Sequence, residues 1–341
     1  MTITHGMDDD FLFLKKINHE LPNEDWKSGA RSYIAHYIDL YGSEAVERLS
    51  FSKPLMAITP EDPTGSLISS YSYLYNFTNA IKLLDLPRGA RILDVACGGG
   101  WVSHWLARLG YNSYGIDISE EFIDLARKRV ERDPDMGRDA GTVRFDVLDI
   151  EETQFDPEFL GYFDAIILES CLHHFIDPVA AMRNITYALK DSGVVLIIEG
   201  ENRRGPINPV YMDVMRQTRT LERPYFRNDL ISILQRSGLS EVSFLATIEG
   251  YISQHDPRLS ALTAIAHEVL NGRNTCVCAK NIDAITRIVP SYLRTEYRNT
   301  PEYSSADVGI PVVEQNENKN TARSDFKIKI RGFFQKMISK I

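Results

Sequence analysis

The stretch RILDVACGGGWVSHWLARLG, residues 91–110, decides the fold. It opens on a short apolar run broken only by Asp94, the pattern of a buried strand. Three glycines follow, Gly98, Gly99 and Gly100, and then apolar residues at helical spacing as far as Gly110. A bare backbone between a strand and a helix lets a ligand come closer than any side chain allows.

Outward from this stretch the rhythm repeats. NSYGIDI (112–118) reads as a strand, and SEEFIDLARKRVERD (119–133) as a helix capped by Ser119 with Glu120 and Glu121 in its first turn. TVRFDVLD (142–149) and FDAIILESC (163–171) read as strands, DPVAAMRNITYALKDSG (177–193) as a helix, and VVLIIEGE (194–201) as a strand. Strands separated by helices predict an α/β fold with a parallel, doubly wound sheet. NDLISILQRSG, EVSFLATIEGY and NTCVCAKN then supply one helix and two last strands, with a helical pattern at 257–272 between the strands. The predicted organisation is a helical N-terminal cap over 1–85 and an α/β domain over 86–281. An extension and polar linker over 282–325 and a basic amphipathic helix over 326–341 complete it. An irregular insert at 200–226 carries Arg203, Arg204, Arg216, Arg219 and Arg223, which suit either a phosphate or carboxylate on a substrate or a solvated loop.

The bulk numbers bound the rest. A chain of 341 residues, 43% hydrophobic and 25% charged, has the composition of a globular protein with a sizeable core. A net charge of −9 speaks against a general nucleic-acid binder. No run approaches the roughly 18 apolar residues of a membrane span, and the N-terminus has acids where a signal peptide has positive charge. The expected location is the cytoplasm. Of the four cysteines, Cys97, Cys171, Cys276 and Cys278, none forms a Cys-x-x-Cys pair. Cys276 and Cys278 share one face of a strand and read as buried thiols; no clear metal cluster stands out, although Asp and Glu near His173 could bind Mg²⁺.

Three features meet at the strand tips. The glycine loop follows the first strand, Asp117 ends the second, and Asp149 ends the third. Open α/β sheets bind ligands there. A dinucleotide fingerprint fails: Gly98 and Gly100 fit it, but Ser103 stands at the third position and Asp94 offers a pyrophosphate nothing. S-adenosylmethionine fits better. Its methionine end is cationic and suits Asp94, Asp117 can accept both ribose hydroxyls, and Asp149 can accept from the adenine amino group.

On these residues the chain resembles the class I S-adenosylmethionine-dependent methyltransferases. LDVACGGG is similar to their first motif, GIDIS to the second-strand acid, VLDIEETQF to the adenine-contacting segment, FDAIILESCLHHFIDP to the fourth-strand motif and LKDSGVVLIIEGE to the fifth. The resemblance implies a seven-stranded Rossmann-like sheet. It implies that Asp94, Ala96 and Gly98 line the methionine part, and that Asp117 and Ile118 hold the ribose and the adenine face. Asp149 and Ile150 would hold the adenine edge and Glu169 the amino-acid end, with Gly100 and Trp101 completing the set. Ala96 stands where the family commonly has glycine, and a small effect is expected from one methyl group.

CLHHF places His173 and His174 just past the fourth strand, and Glu199 ends the fifth. Histidine titrates near working pH and suits deprotonation of an acceptor hydroxyl, with Glu199 orienting one ring; either ring can be the base. LHHF paired with that acid resembles the sugar O-methyltransferases of natural-product pathways, which implies a sugar hydroxyl of a glycan or glycoside as acceptor. Two other readings stay open: a C- or N-methyltransferase of a small metabolite, and a non-catalytic scaffold that binds the cofactor in a membrane glycan complex. Tyr71, Tyr73 and Tyr75 are expected either to line the acceptor pocket or to serve as amphipathic contacts. In the tail, Phe326, Ile330, Phe333, Phe334, Met337, Ile338 and Ile341 share one helical face beside five basic residues. That pattern on an acidic protein suits an anionic membrane surface, here the inner face, or a partner protein.

Overall fold

The computed structural model describes residues 25–55, 65–137, 139–201, 209–245 and 273–289. The N-terminal stretch, the helix expected at 257–272, the linker and the basic tail lie outside these residues. Three short helices come first, α1 (Trp26–Arg31), α2 (Tyr33–Tyr41) and α3 (Ser43–Ser52), followed by the longer α4 (Gly65–Leu84). Strands and helices then alternate: β1 (Arg91–Val95), α5 (Trp101–Arg108), β2 (Asn112–Asp117), α6 (Glu120–Glu131), β3 (Val143–Val147), β4 (Phe163–Glu169), α7 (Pro178–Ala188) and β5 (Leu189–Glu201). The last elements are α8 (Pro209–Thr218), α9 (Arg227–Arg236), β6 (Glu241–Phe244), β7 (Arg273–Ala279) and α10 (Ile282–Ile288).

The strands form one seven-stranded sheet in the order β3-β2-β1-β4-β5-β7-β6. β1 to β5 run parallel, and β7 is antiparallel to both of its neighbours. This is the Rossmann-like class I methyltransferase sheet expected from the sequence. Side chains alternate across it, as strand periodicity requires. Leu93, Ile166, Leu168, Val195 and Ile197 enter one core with Met182, Ile185, Leu230 and Leu234. Ile92, Ala165, Ile167, Leu196 and Val277 enter the other with Phe77, Leu84, Leu106 and Ile285. Cys276 and Cys278 are buried free thiols on one face of β7, as their spacing predicts.

Local signals hold at the helix starts. Ser119 caps α6 by accepting from the N–H of Phe122, and Asp177 caps α7 by accepting from Ala180, with Pro178 in the first turn. Two readings differ: the insert expected to be irregular over 200–226 carries the helix α8, and one helix boundary moves. The helix expected to run to 193 stops at Ala188, because Leu189 is already paired with Phe163. Pairing resumes at Ala165 and Val194, so residues 190–193 bulge between. Lys190 reaches Asp164 at 2.5 Å there, and Lys280 donates to the Leu189 carbonyl at 2.5 Å. The residues from 282, expected as an extension, begin with α10, whose Ala284 and Ile285 are buried against the sheet.

The cap packs over α6 through a small core of its own, Ile34, Val46 and Leu125. Arg129 of α6 fastens it. Its guanidinium donates to the Gly99 carbonyl at 2.9 Å, to Lys53 at 3.1 Å and to Ser50, so one side chain ties α3 to the glycine loop. Gly29 of α1 lies flat against the Arg219 carbonyl, where a Cβ would collide with the backbone. Among the described residues no helix is long and apolar enough to cross a membrane.

Candidate active site

A cavity of about 560 Å³ lies outside the carboxyl ends of β1, β2 and β4, where the strand order reverses. Its floor is the turn after β1. Ala96 (φ +52°), Gly98 (φ +50°) and Gly100 (φ +70°) all take left-handed backbone there. Glycine adopts this freely, whereas an alanine is strained by roughly 1–2 kcal/mol. The departure at Ala96 therefore costs more than the extra methyl suggests. A Cβ at Gly98 would meet only the Phe122 ring, at 4.0 Å, so the loop faces open space; one at Gly100 would strike Ala126 and Phe145 at 2.6 and 2.9 Å.

Asp117 sits at the tip of β2 with one oxygen on the Gly98 N–H and the other on the Ser119 N–H, both at 2.9 Å. Burial raises its pKa, and those hydrogen bonds oppose the rise. Each oxygen keeps a second lone pair for a ligand. Ile118 and Ile150 add apolar walls, and Glu169 stands at the tip of β4. Ala96, Gly98, Trp101, Asp117, Ile118, Asp149, Ile150 and Glu169 all line the cavity.

Asp94 and Gly100 are not on its wall. The Asp94 carboxylate is buried beneath the loop, accepting from the Ser103 N–H at 3.1 Å and its hydroxyl at 2.6 Å. Burial pushes Asp94 up to about 7 against those bonds. It braces the start of α5 where contact with a cationic ligand was anticipated. Asp149 is on the wall but engaged: Lys27 and Arg31 of α1 hold one of its oxygens at 3.0 and 3.1 Å. An adenine amino group would share that carboxylate with two cations of the cap. Lys27 also meets Glu152 at 2.7 Å and Glu151 at 3.4 Å.

The cap supplies an aromatic side of the cavity. Tyr33 stacks on Phe122 with ring centroids 6.1 Å apart and meets Tyr37 at 5.0 Å. Of the three tyrosines on α4 only Tyr73 reaches the cavity, edge-on to Trp101 at 5.6 Å. Tyr71 and Tyr75 stack on each other along the helix at 5.5 Å.

The two histidines take different roles. His174 lines the cavity, while His173 and Glu199 stand behind it. Glu199, only 3% exposed, accepts from the N–H groups of Cys171 and Leu172 at 3.0 and 2.6 Å through one oxygen. Its other oxygen meets His173 Nδ1 at 2.7 Å. His173 Nε2 faces Glu222 at 3.4 Å. Burial disfavours a charge on His173, but the Glu199 carboxylate, aided by Glu222, outweighs it and holds the imidazole up at about 9. His174 donates from Nδ1 to the Leu221 carbonyl at 2.6 Å, which leaves its lone pair on Nε2. Burial and the neighbouring His173 charge press it down to about 3, so it stays neutral.

Sequence reading misses Glu222, Tyr33, Lys27 and Arg31. Glu222 lies in the insert, which has no periodicity to read; its one signal is an acid among arginines. Within that insert Arg223 is buried and serves its own chain, donating to the Phe175 carbonyl at 3.1 Å and to Tyr225 at 2.9 Å. It is not free to receive a substrate anion. Arg203 and Arg204 lie outside the described residues.

Residues 93–197 match the family described as "Methyltransferase domain". A ubiquinone biosynthesis O-methyltransferase of Xanthomonas axonopodis pv. citri is 35% identical over 112 residues, 33% of this chain and 43% of that protein. The one of Marinobacter nauticus is 33% identical over 110 residues, 32% of this chain and 43% of that protein. The chain thus spans less than half the length of the curated relatives it matches. Among solved structures, phosphoethanolamine N-methyltransferase 2 of Haemonchus contortus with S-adenosyl-L-methionine is similar at a TM-score of 0.48 and 17% identity, over 73% of this chain and 60% of that one. The citrinin polyketide synthase CMeT domain is similar at 0.45 and 19%, over 79% and 68%. The match over residues 93–197, on a sheet whose glycine turn and strand-tip acid lie inside it, likens that segment to the methyltransferase domains of the class I, S-adenosylmethionine-dependent kind.

Proposed function

We propose that the protein transfers a methyl group from S-adenosylmethionine to an acceptor hydroxyl carried on a ring. The carrying observation is the position of His174: on the cavity wall, neutral, with its Nε2 lone pair free of the protein's own backbone. The cofactor supplies an electrophilic methyl on its sulfonium. The chain does the rest. Asp117 and the Gly98 turn fix the nucleoside. Tyr33, Tyr73 and Trp101 offer faces on which a ring can lie. The histidine–glutamate cluster is where the hydroxyl is made nucleophilic. Holding the two reactants in line accounts for much of the acceleration.

The sugar acceptor rests on the LHHF and Glu199 set alone. A phenolic ring is the second reading, supported by relatives whose names describe O-methylation in ubiquinone biosynthesis. Methyl-labelled S-adenosylmethionine, incubated with the full chain and parallel panels of glycosides and phenols, separates them. Label in an ether linkage of one panel is the expected result. Label only on nitrogen or carbon acceptors, with the cofactor bound, would overturn the oxygen reading.

The same proposal brings the basic tail, residues 326–341, to an anionic membrane surface, which would present a lipid-linked glycan acceptor. Flotation with anionic vesicles should carry the full chain and leave behind a chain ending at residue 324. Equal partition of both forms would end that part.

A further inference from the structure

We propose that His173, His174 and Glu222 form a binding site for a first-row divalent cation of the Zn²⁺ type, opening into the cavity. One ring nitrogen of each histidine and one carboxylate oxygen of Glu222 all lie within 4.8 Å of one another. His173 Nε2 and Glu222 Oε2 are 3.4 Å apart. Two ligands on tetrahedral zinc, each at about 2.0–2.1 Å, stand roughly 3.3 Å from each other, so that edge is already at ligating width. The third ligand, within 4.8 Å of the others, needs to close in by at most about 1.5 Å to reach such a distance.

The surroundings of the three side chains point the same way. Imidazoles that bind metals hand their other N–H to a carboxylate or a backbone carbonyl, which fixes ring and tautomer. Here His173 Nδ1 is held by Glu199 at 2.7 Å and His174 Nδ1 by the Leu221 carbonyl at 2.6 Å. His174 Nε2 is thereby left as an electron-pair donor, and His173 Nε2 becomes one when a cation displaces the proton that Glu199 and Glu222 hold on its ring. The loop carrying Glu222 is stitched to the loop carrying the histidines. The Arg223 N–H donates to the His173 carbonyl at 3.2 Å, and the Tyr225 hydroxyl to the Leu172 carbonyl at 3.0 Å. Two imidazoles and one carboxylate suit zinc, iron, cobalt or nickel, whereas magnesium and calcium prefer an all-oxygen set. Three protein ligands with one position open is the form of a reactive centre.

The sequence leaves open a cation near His173 but does not single out Glu222, which follows His174 by 48 residues with no short ligand spacing. The site deepens the acceptor-oxygen reading and rests on it. His174 brings the open position to the cavity, so an acceptor oxygen would complete the shell. A hydroxyl bound there becomes a stronger acid and releases its proton to water.

The test uses chelator-treated full-length protein, titrated with Zn²⁺ by calorimetry and with Co²⁺ by visible absorption. One ion per chain and a four-coordinate Co²⁺ spectrum are expected. Glu222→Gln and His173→Gln should weaken binding at least tenfold. Glu222→Asp should recover part of the loss, and His36→Ala, outside the cluster, should bind as the parent does. S-adenosylhomocysteine is titrated into the same samples and confirms that each variant is folded. Absence of stoichiometric ion binding, or equal binding by the parent and Glu222→Gln, overturns the site. Absence of heat with S-adenosylhomocysteine in the parent falls on the cofactor reading alone.

Discussion

Replacing Asp117 with alanine is expected to weaken S-adenosylhomocysteine binding about a hundredfold or more, since two hydrogen bonds to a charged acceptor are lost at roughly 1.5–3 kcal/mol each. The carboxylate is the one acid that the structure sets at the end of β2, on the cavity wall, with both oxygens anchored from behind. That anchoring aims the remaining lone pairs forward, toward the space over Gly98. Calorimetry measures the effect, and circular dichroism on the same material confirms the fold. The second measurement matters because Asp117 also satisfies the N–H groups of Gly98 and Ser119. Unchanged affinity in a folded variant would mean that the carboxylate only braces the turn.

The second large effect is on turnover. His174→Ala is expected to cut kcat about a hundredfold or more, the scale of activating the acceptor hydroxyl, while affinity for S-adenosylhomocysteine changes little. His174 is the member of the cluster that faces the cavity, so its removal deletes the contact with the acceptor. His173→Ala should reach a similar loss by a different route. It leaves Glu199, 3% exposed, without its imidazole partner and takes away the group that faces Glu222. Steady-state kinetics on the acceptor found in the labelling experiment checks both. Full turnover in both variants would leave positioning as the whole of the catalysis.

Much of this molecule is legible in its sequence, for identifiable reasons. β1, β2, β4 and β5 are parallel strands buried on both faces, and such strands appear as unbroken apolar runs. The glycine turn, Asp117 and the histidine pair lie within a few residues of strand ends that those runs locate. The rest depends on contacts between distant segments. Lys27 meets Asp149 across 122 positions, and nothing local in either segment announces the pairing. Glu222 is placed by hydrogen bonds from Arg223 and Tyr225 to the loop after β4, in a stretch without period. The early end of α7 reflects capture of Leu189 by a neighbouring strand, a tertiary effect stronger than the helical pattern of residues 189–193. Asp94 adjoins the glycine loop in the chain, but strand alternation turns its side chain toward α5, onto Ser103.

The flat seat of Gly29 on the Arg219 carbonyl has a consequence for how this enzyme can vary. Arg219 begins the same loop that three residues later presents Glu222. A methyl group at position 29 would lift α1, which lines the cavity beside Asp149, and, through that carbonyl, re-aim the acid opposite the histidines. The wall of the cavity at α1 and the placement of Glu222 are therefore geared together through a single hydrogen atom's worth of room, and neither can drift in isolation.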